Sequence, residues 1–390
     1  MKSRRILIFS LAYFPHYVGG AEVAVKEITN RISSSKIEFD MITVGKQAFS
    51  PLRIGNINVY RVGQFWGNDS KPSNSRIGIF AKFVYIPLAF LKAIRLHHKN
   101  KYDSVWSIMA SYAGSATYLF KKIFPKIPVI LTIQEGENFE RRSGFFGIFF
   151  RMIFRSADRI QVISSFLVEW SRSMGAKCPI EIVPNGVEFS HFSKPIDPEM
   201  RNKIRDELGV KNSEVLLVTA SRLTYKNAID DIIVALQYLD KSYKFLVLGS
   251  GEDEDTLRKT VTKMNLADRV IFKGFVNHEK LPDYLKSSNI FIRPSRSEGL
   301  GNSFLEAMAV GIPVIATRVG GIPDFLRDGE TGLFCEVDNP KSIAQKVMKL
   351  TKDAESRDYI VRQAKEMIEQ QYDWQTIGEK MENILYNKSI

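Results

Sequence analysis

Short runs of apolar and β-branched residues alternate along this chain with longer stretches whose apolar positions recur every three to four residues. Runs of the first kind read as buried strands, and stretches of the second kind read as helices crossing between them. That alternation predicts parallel sheets with crossover helices, an α/β protein. In the first half, strands are predicted at Arg5–Ser10, Phe39–Val44, Val59–Val62, Ser104–Ile108, Val129–Ile133, Arg159–Ile163 and Ile180–Val183, with the first helix near Glu22–Ser33. In the second half they are predicted at Val215–Ala220, Lys244–Leu248, Val270–Lys273, Ile290–Arg293, Val314–Ala316 and Gly332–Phe334. Helices near Ala228–Leu239, Asp253–Met264, Ser303–Ala309 and Ser342–Leu350 accompany them, and Trp374–Tyr386 is amphipathic.

The chain has 390 residues, too many for one ordinary core, so two doubly wound units in series are expected. Pro, Asn and Gly interrupt the periodicity between Pro184 and Pro198, which places a linker there and a boundary at 192/193. Open parallel sheets bind ligands beyond the carboxyl ends of their strands. Two such sheets are expected to face a common cleft, with the chemistry on the loops that follow the strands.

The most distinctive residues fall on those loops. After the strand ending at Arg293 comes a loop with Glu298, Gly299, Leu300 and Gly301, then a helix expected to start at Asn302 or Ser303, both good cap residues. The glycines let backbone N–H groups approach a ligand, and the helix start offers unpaired donors and positive dipole to a phosphate. Glu306 lies about one turn into that helix, where its carboxylate can accept two hydrogen bonds from a ribose diol. Arg222 and Lys226 follow the strand Val215–Ala220, and a cationic pair at a strand's carboxyl end suits a diphosphate. A third turn, Phe14-Pro-His-Tyr-Val-Gly19-Gly20-Ala-Glu22, joins the first strand to the first helix.

Charge changes the picture of partners. The formal net charge is +12, yet residues 1–185 hold 26 Lys and Arg against 12 Asp and Glu, so the whole positive excess lies in the first half. Such asymmetry points to an anionic partner there. Phe145–Phe154 with its flanking Arg141, Arg142, Arg151 and Arg155 combines apolar and basic residues, as does Ile79–Arg95, and both suit attachment in the plane of an anionic membrane. Ile77–Ile94 is interrupted by Lys82, Pro87 and Lys92, so no spanning helix is expected. No small-residue cleavage site follows the apolar Ile6–Leu11, and the two cysteines, Cys178 and Cys335, form no disulfide framework. A cytoplasmic protein, peripheral at the inner face of the membrane, is the expectation.

The run from Glu298 to Glu306, with seven residues between the glutamates, resembles the signature of the family 4 retaining glycosyltransferases of the GT-B fold. Gly19-Gly20-Ala-Glu22, Ser156-Ala-Asp-Arg-Ile, Val183-Pro-Asn-Gly-Val187, Arg222 with Lys226, Gly249-Ser-Gly-Glu252, Phe272-Lys-Gly-Phe-Val276 and Gly320-Gly-Ile-Pro323 follow in the family's order. The resemblance implies that Arg222 and Lys226 hold the donor diphosphate, that Glu306 holds the ribose and that Glu298 faces the transferred sugar. It implies further that Val276 borders the base, that Gly20 touches the phosphates and that the last helix, within 374–390, packs back on the first domain. Gln134 stands where the family commonly has a His that hydrogen-bonds the donor sugar, and the gap from Arg222 to Lys226 is one residue shorter than usual.

The function implied is transfer of a sugar from a nucleotide-diphosphate sugar to a glycan or lipid-linked acceptor. The nucleotide sugar is a substrate, no cofactor is implied and no metal is expected. Asp253-Glu-Asp255 matches a D-x-D metal pattern, but it opens a helix, where acidic residues favour the dipole, so capping is its expected role. A sugar-nucleotide epimerase of the same fold needs further acid/base residues that the sequence does not single out. A silent nucleotide-sugar binder is a third reading. The chain carries neither a recognition helix nor an aromatic-rich sheet motif, so no nucleic-acid partner is expected.

Overall fold

The computed structural model describes residues 3–15, 19–45, 50–63, 76–134 and 145–386, with the side chains of 76–81 and 145–146 outside that description. His16, Tyr17 and Val18 of the first turn, Glu135 and Glu137 after Gln134, Arg141, Arg142 and residues 387–390 fall outside the described residues. The chain forms two compact units: unit 1 is Met1–Asn185 with Trp374–Ile390, and unit 2 is Gly186–Asp373.

Unit 1 is built on an eight-stranded sheet: β1 (Arg4–Phe9), β2 (Ile37–Gly45), β3 (Leu52–Ile54), β4 (Ile57–Gly63), β5 (Ser104–Ile108), β6 (Val129–Ile133), β7 (Arg159–Val162) and β8 (Ile180–Ile182). Their order is β3-β4-β2-β1-β5-β6-β7-β8, parallel throughout except for the short β3. Residues of β1 alternate between two cores. Ile6 and Ile8 pack with α1 (Gly20–Arg31) and the terminal α14 (Trp374–Tyr386), while Leu7 and Phe9 pack with α2 (Arg76–Asn100) and α3 (Tyr112–Ile123). A strand buried on both faces needs a continuous apolar run, which is why β1 reads as Ile-Leu-Ile-Phe. Two further helices, α4 (Phe145–Ser156) and α5 (Ser165–Ser173), flank β7.

Unit 2 has six parallel strands, β9 (Val215–Ala220), β10 (Tyr243–Leu248), β11 (Val270–Gly274), β12 (Ile290–Arg293), β13 (Val314–Thr317) and β14 (Leu333–Cys335), in the order β11-β10-β9-β12-β13-β14. Its helices are α6 (Phe189–Phe192), α7 (Pro198–Glu207), α8 (Ile229–Ala235), α9 (Glu254–Lys263), α10 (Leu281–Lys286), α11 (Asn302–Val310), α12 (Pro340–Lys352) and α13 (Ala354–Gln371). The strand order reverses between β9 and β12, so the loops after these two strands diverge and leave a crevice at their carboxyl ends.

Three differences from the sequence expectations have clear causes. The units divide at 185/186 rather than 192/193, because Val187 bridges Asp373 and Phe192, fully buried, packs its ring 5.1 Å from that of His278 within unit 2. The antiparallel β3 is an exposed edge strand of three residues and lacks the apolar run that marks the others. Asp253 takes the N-cap position of α9 without a side-chain cap hydrogen bond, and Glu254 instead accepts from Arg258 at 2.8 Å; the acidic first turn still complements the dipole. No helix among the described residues is long and apolar enough to cross a membrane.

Candidate functional site

In unit 2 the sequence-predicted residues gather around a buried arginine at the end of β12. Arg293 is 5% exposed and stacks its guanidinium 4.2 Å above the Phe304 ring. It donates to Ser303 Oγ at 2.8 Å and to Glu298 Oε2 at 2.5 Å. Burial pushes the Arg293 guanidinium below its ordinary value, and the charges of Glu298 and Glu306 oppose that shift. A buried cation of this kind persists only with a partnered carboxylate, so Glu298 is fixed by electrostatics as well as by its loop. Its other oxygen accepts from the Gly299 N–H at 3.0 Å, and its carbonyl accepts from Gly321 N–H at 3.3 Å.

Two glycines make this loop possible. Gly301 has φ +92°, and a Cβ there would lie 2.4 Å from an Arg293 nitrogen and 2.5 Å from the Phe304 ring. Gly320 has φ +53°, and a Cβ there would sit 1.7 Å from the Glu298 carbonyl oxygen. Only a glycine tolerates either position.

α11 starts at Asn302, as expected, but its cap is not the expected one. Gly301, not Asn302 or Ser303, occupies its N-cap, without a side-chain cap bond; Ser303 is in the first turn and its hydroxyl serves Arg293. The Leu300 side chain is buried, so this residue can face a ligand through its backbone only. The Gly299 N–H is engaged by Glu298. Glu306, one turn into α11, meets His278 Nε2 at 3.1 Å. His278 lies on the loop after β11 that also carries the half-buried Val276, so this contact links the Val276 segment to Glu306.

The loop after β9 carries Arg222, exposed, and Lys226, half-buried in a single 3-10 turn, Tyr225–Asn227. The buried Asn227 side chain donates to the Arg222 carbonyl at 2.6 Å and folds the loop back on itself. What joins this loop to the one after β12 is Arg296. Its backbone N–H donates to the Lys226 carbonyl at 2.7 Å and its guanidinium to the Tyr225 carbonyl at 2.7 Å. The same guanidinium pairs with Asp230 at 3.0 Å, Asp231 at 3.3 Å and Asp338 at 2.6 Å, and lies 4.3 Å over the Tyr225 ring. Burial opposes its charge, but hydrogen bonds to Asp230 and Asp338 outweigh that and hold Arg296 above its ordinary value. Sequence reasoning singled out neither Arg296 nor His278, because their partners lie 28 to 71 residues away in the chain.

The remaining predicted residues belong to unit 1. Gly19 caps α1, whose first residue is Gly20; Gly19 has φ −133°, an ordinary extended conformation. Gln134 follows β6, and its Oε1 accepts from Asn185 Nδ2 at 3.2 Å, which leaves the amide nitrogen as the end oriented to donate elsewhere.

Residues 18–191 match the family model described as Glycosyltransferase Family 4, and residues 200–367 match that described as Glycosyl transferases group 1. The chain belongs to the family 4 glycosyltransferases. The N-acetyl-alpha-D-glucosaminyl L-malate synthase of Bacillus anthracis is 24% identical over 95% of this chain and 94% of its own length. A GDP-mannose-dependent monoacylated alpha-(1-6)-phosphatidylinositol monomannoside mannosyltransferase of Corynebacterium glutamicum is 28% identical over 61% of this chain and 64% of its own. The crystal structure of Anabaena HepE in complex with UDP superposes with a TM-score of 0.79 at 19% identity, covering 99% of both chains, a likeness of fold. This glycosyltransferase therefore has the GT-B type of fold, with one parallel-sheet α/β domain in each unit. Within it, Glu298 and Glu306 sit on the post-β12 loop and on α11, and Arg222 and Lys226 on the post-β9 loop, at the point where the unit 2 sheet reverses its order.

Proposed function

We propose that this enzyme moves a hexosyl group from a UDP- or GDP-sugar to an acceptor hydroxyl with retention of anomeric configuration, in lipid-linked glycan or cell-surface polysaccharide synthesis, working peripherally at an anionic membrane. The observation that carries the donor half of this reading is the Arg296 tie, which holds the loop of Arg222 and Lys226 against the loop of Glu298 at the switch point of the unit 2 sheet. Crevices of that kind take nucleotides, and a helix start beside them takes phosphate.

In this reading Arg222 and Lys226, with the first turn of α11, stabilise the negative charge that grows on the leaving diphosphate. Glu306 accepts from the ribose hydroxyls, and Glu298, braced by Arg293, faces the sugar. The acceptor hydroxyl attacks from the face that the diphosphate leaves, through a short-lived oxocarbenium-like ion pair, and a diphosphate oxygen takes its proton. Gly19, Gly20 and Gln134 are residues whose substitution lowers transfer. No divalent metal is required.

Thermal-shift screening with UDP-, GDP- and ADP-sugars tests the donor, since a ligand that binds only the folded chain raises its melting temperature. The expected result is a shift with one nucleotide class that Glu306→Ala abolishes. No shift with any of them, or an unchanged shift in that variant, overturns the reading. Proton NMR of the product tests retention, and an inverted anomer overturns it.

A further inference from the structure

The loop after β9 has two limbs, and each is held by a different neighbour. The first, residues 221–223, lies against the loop after β10. Leu223 N–H donates to the Ser250 carbonyl at 3.1 Å, and the Leu223 carbonyl accepts from Asp253 N–H at 3.1 Å. The two backbones run so close that a Cβ on Gly249 would lie 1.9 Å from the Ser221 carbonyl oxygen, and one on Gly251 2.1 Å from that of Leu223. The second limb, residues 225–226, is held by Arg296 of the loop after β12, which donates to the carbonyls of both residues. Arg222 stands on the first limb and Lys226 on the second. The distance between these two cations therefore depends on what fixes one limb to the other.

Asn227 makes that connection. Its backbone N–H donates to the Thr224 carbonyl at 3.0 Å, at the turn between the limbs, and its side-chain Nδ2 reaches across to the Arg222 carbonyl at 2.6 Å. With these two bonds, every carbonyl from Arg222 to Lys226 is engaged. The Asn227 side chain is buried, so packing holds the amide in place. Ala228 follows at φ +51° and ψ 43°, a left-handed conformation that a non-glycine residue keeps only where its surroundings over-determine it. Asparagine fits the task chemically. Its amide is short, donates to a nearby backbone carbonyl and carries no charge that would compete with a phosphate for the cations. A carboxylate in its place would aim an acceptor at an acceptor.

We propose that Asn227 is a positioning residue for the transfer step, its amide fixing the distance between Arg222 and Lys226 so that both cations bear on one diphosphate. It rests on the reading of these two residues as the diphosphate cations. Negative charge on the leaving diphosphate grows toward the transition state, so a misplaced cation costs more in kcat than in ground-state binding.

Release of UDP from UDP-glucose or UDP-N-acetylglucosamine, and of GDP from GDP-mannose, with water as acceptor, measures departure of the diphosphate. Titration calorimetry with UDP and GDP gives the nucleotide affinity and counts the competent sites, so kcat is taken per site. Asn227→Ala is expected to lower kcat about 10- to 50-fold and to weaken nucleotide binding no more than about threefold. Asn227→Asp, which keeps the size and loses the donor, is expected to do the same. A kcat per site within about twofold of the wild type in both variants, or a loss of affinity as large as the loss of kcat, overturns the assignment. So does failure of both variants to fold by circular dichroism, which would make Asn227 a residue of folding alone. Arg222→Ala tests the reading underneath and is expected to lose about a hundredfold in kcat. If Arg222→Ala releases nucleotide as fast as the wild type, or the wild type releases none from any of the three donors, the diphosphate reading falls, whatever Asn227 does. If Arg222→Ala is impaired and both Asn227 variants are not, only the role of Asn227 falls.

Discussion

The Nε2 atom of His278 lies 3.1 Å from Glu306 Oε1, joining the loop after β11 to the first turns of α11. The carboxylate proposed for the ribose is thereby aimed by a neighbour from another strand's loop. Removing that neighbour frees the Glu306 rotamers without removing the carboxylate. His278→Ala is expected to weaken nucleotide binding about five- to tenfold with little change in kcat, and Glu306→Ala about a hundredfold, by titration calorimetry. Equal losses in the two variants would contradict a positioning role for His278.

Glu298 has a structural task besides its proposed place at the sugar. Arg293 is buried and its ion pair with Glu298 is its one described carboxylate contact. Glu298→Gln leaves that buried cation without its ion-pair partner, so unit 2 should lose about 3–5 kcal/mol of stability as well as activity. Urea unfolding checks this. A variant that is inactive yet as stable as the wild type would show that Arg293 does not depend on Glu298.

Gly301→Ala combines a left-handed φ with a collision against Arg293 and Phe304. The substitution should cost about 1–3 kcal/mol and displace the start of α11, so the nucleotide thermal shift is lost along with part of the melting temperature. Gly209→Ala, where φ is also positive but nothing lies within 4 Å, separates the two effects: it should be strained yet keep the nucleotide response.

Burial, followed by the charge of Asp230, raises Asp231 from 3.8 to about 6, with Arg296 pulling the other way. A raised carboxyl keeps its proton in the folded chain after the unfolded chain has released it. The stability it contributes is therefore present below its unfolded value and lost as pH rises toward its folded one. Between about pH 4 and pH 6 the wild type should lose roughly 2 to 3 kcal/mol relative to Asp231→Asn, and the difference should be level above that window. Denaturant midpoints of both proteins across the range test the slope, and parallel curves would refute it.

The sequence was most legible where one short run is buried on both faces. Ser104–Ile108, Val129–Ile133, Val215–Ala220 and Ile290–Arg293 are strands with the predicted ends, because their apolar runs stop where the chain leaves the sheet. Helices such as α3 and α13 were not predicted: α3 is buried on several sides and lacks a polar stripe, and α13 is exposed along most of its length, so its apolar stripe is narrow. In the candidate site, the positions of Glu298, Glu306, Arg222 and Lys226 on post-strand loops and a helix start were readable from spacing next to a strand's end. Arg293 was read only as the end of a strand, and Arg296 and His278 not at all. Each acts through partners that are distant in sequence, and no local pattern encodes which carboxylate or carbonyl a guanidinium will find.

Val187 and Asp373 stand opposite each other in a parallel bridge, with the Val187 N–H donating to the Tyr372 carbonyl at 2.8 Å. The polypeptide thus enters and leaves unit 2 at neighbouring points, so that unit is an insertion whose two ends meet. A domain with adjoining ends can be excised, or exchanged for another of the same kind, without stretching its host. Cutting the chain after Asp373 harms the opposite partner: it strips α14 from the core that Ile6, Ile8 and α1 share, and leaves the inserted domain whole.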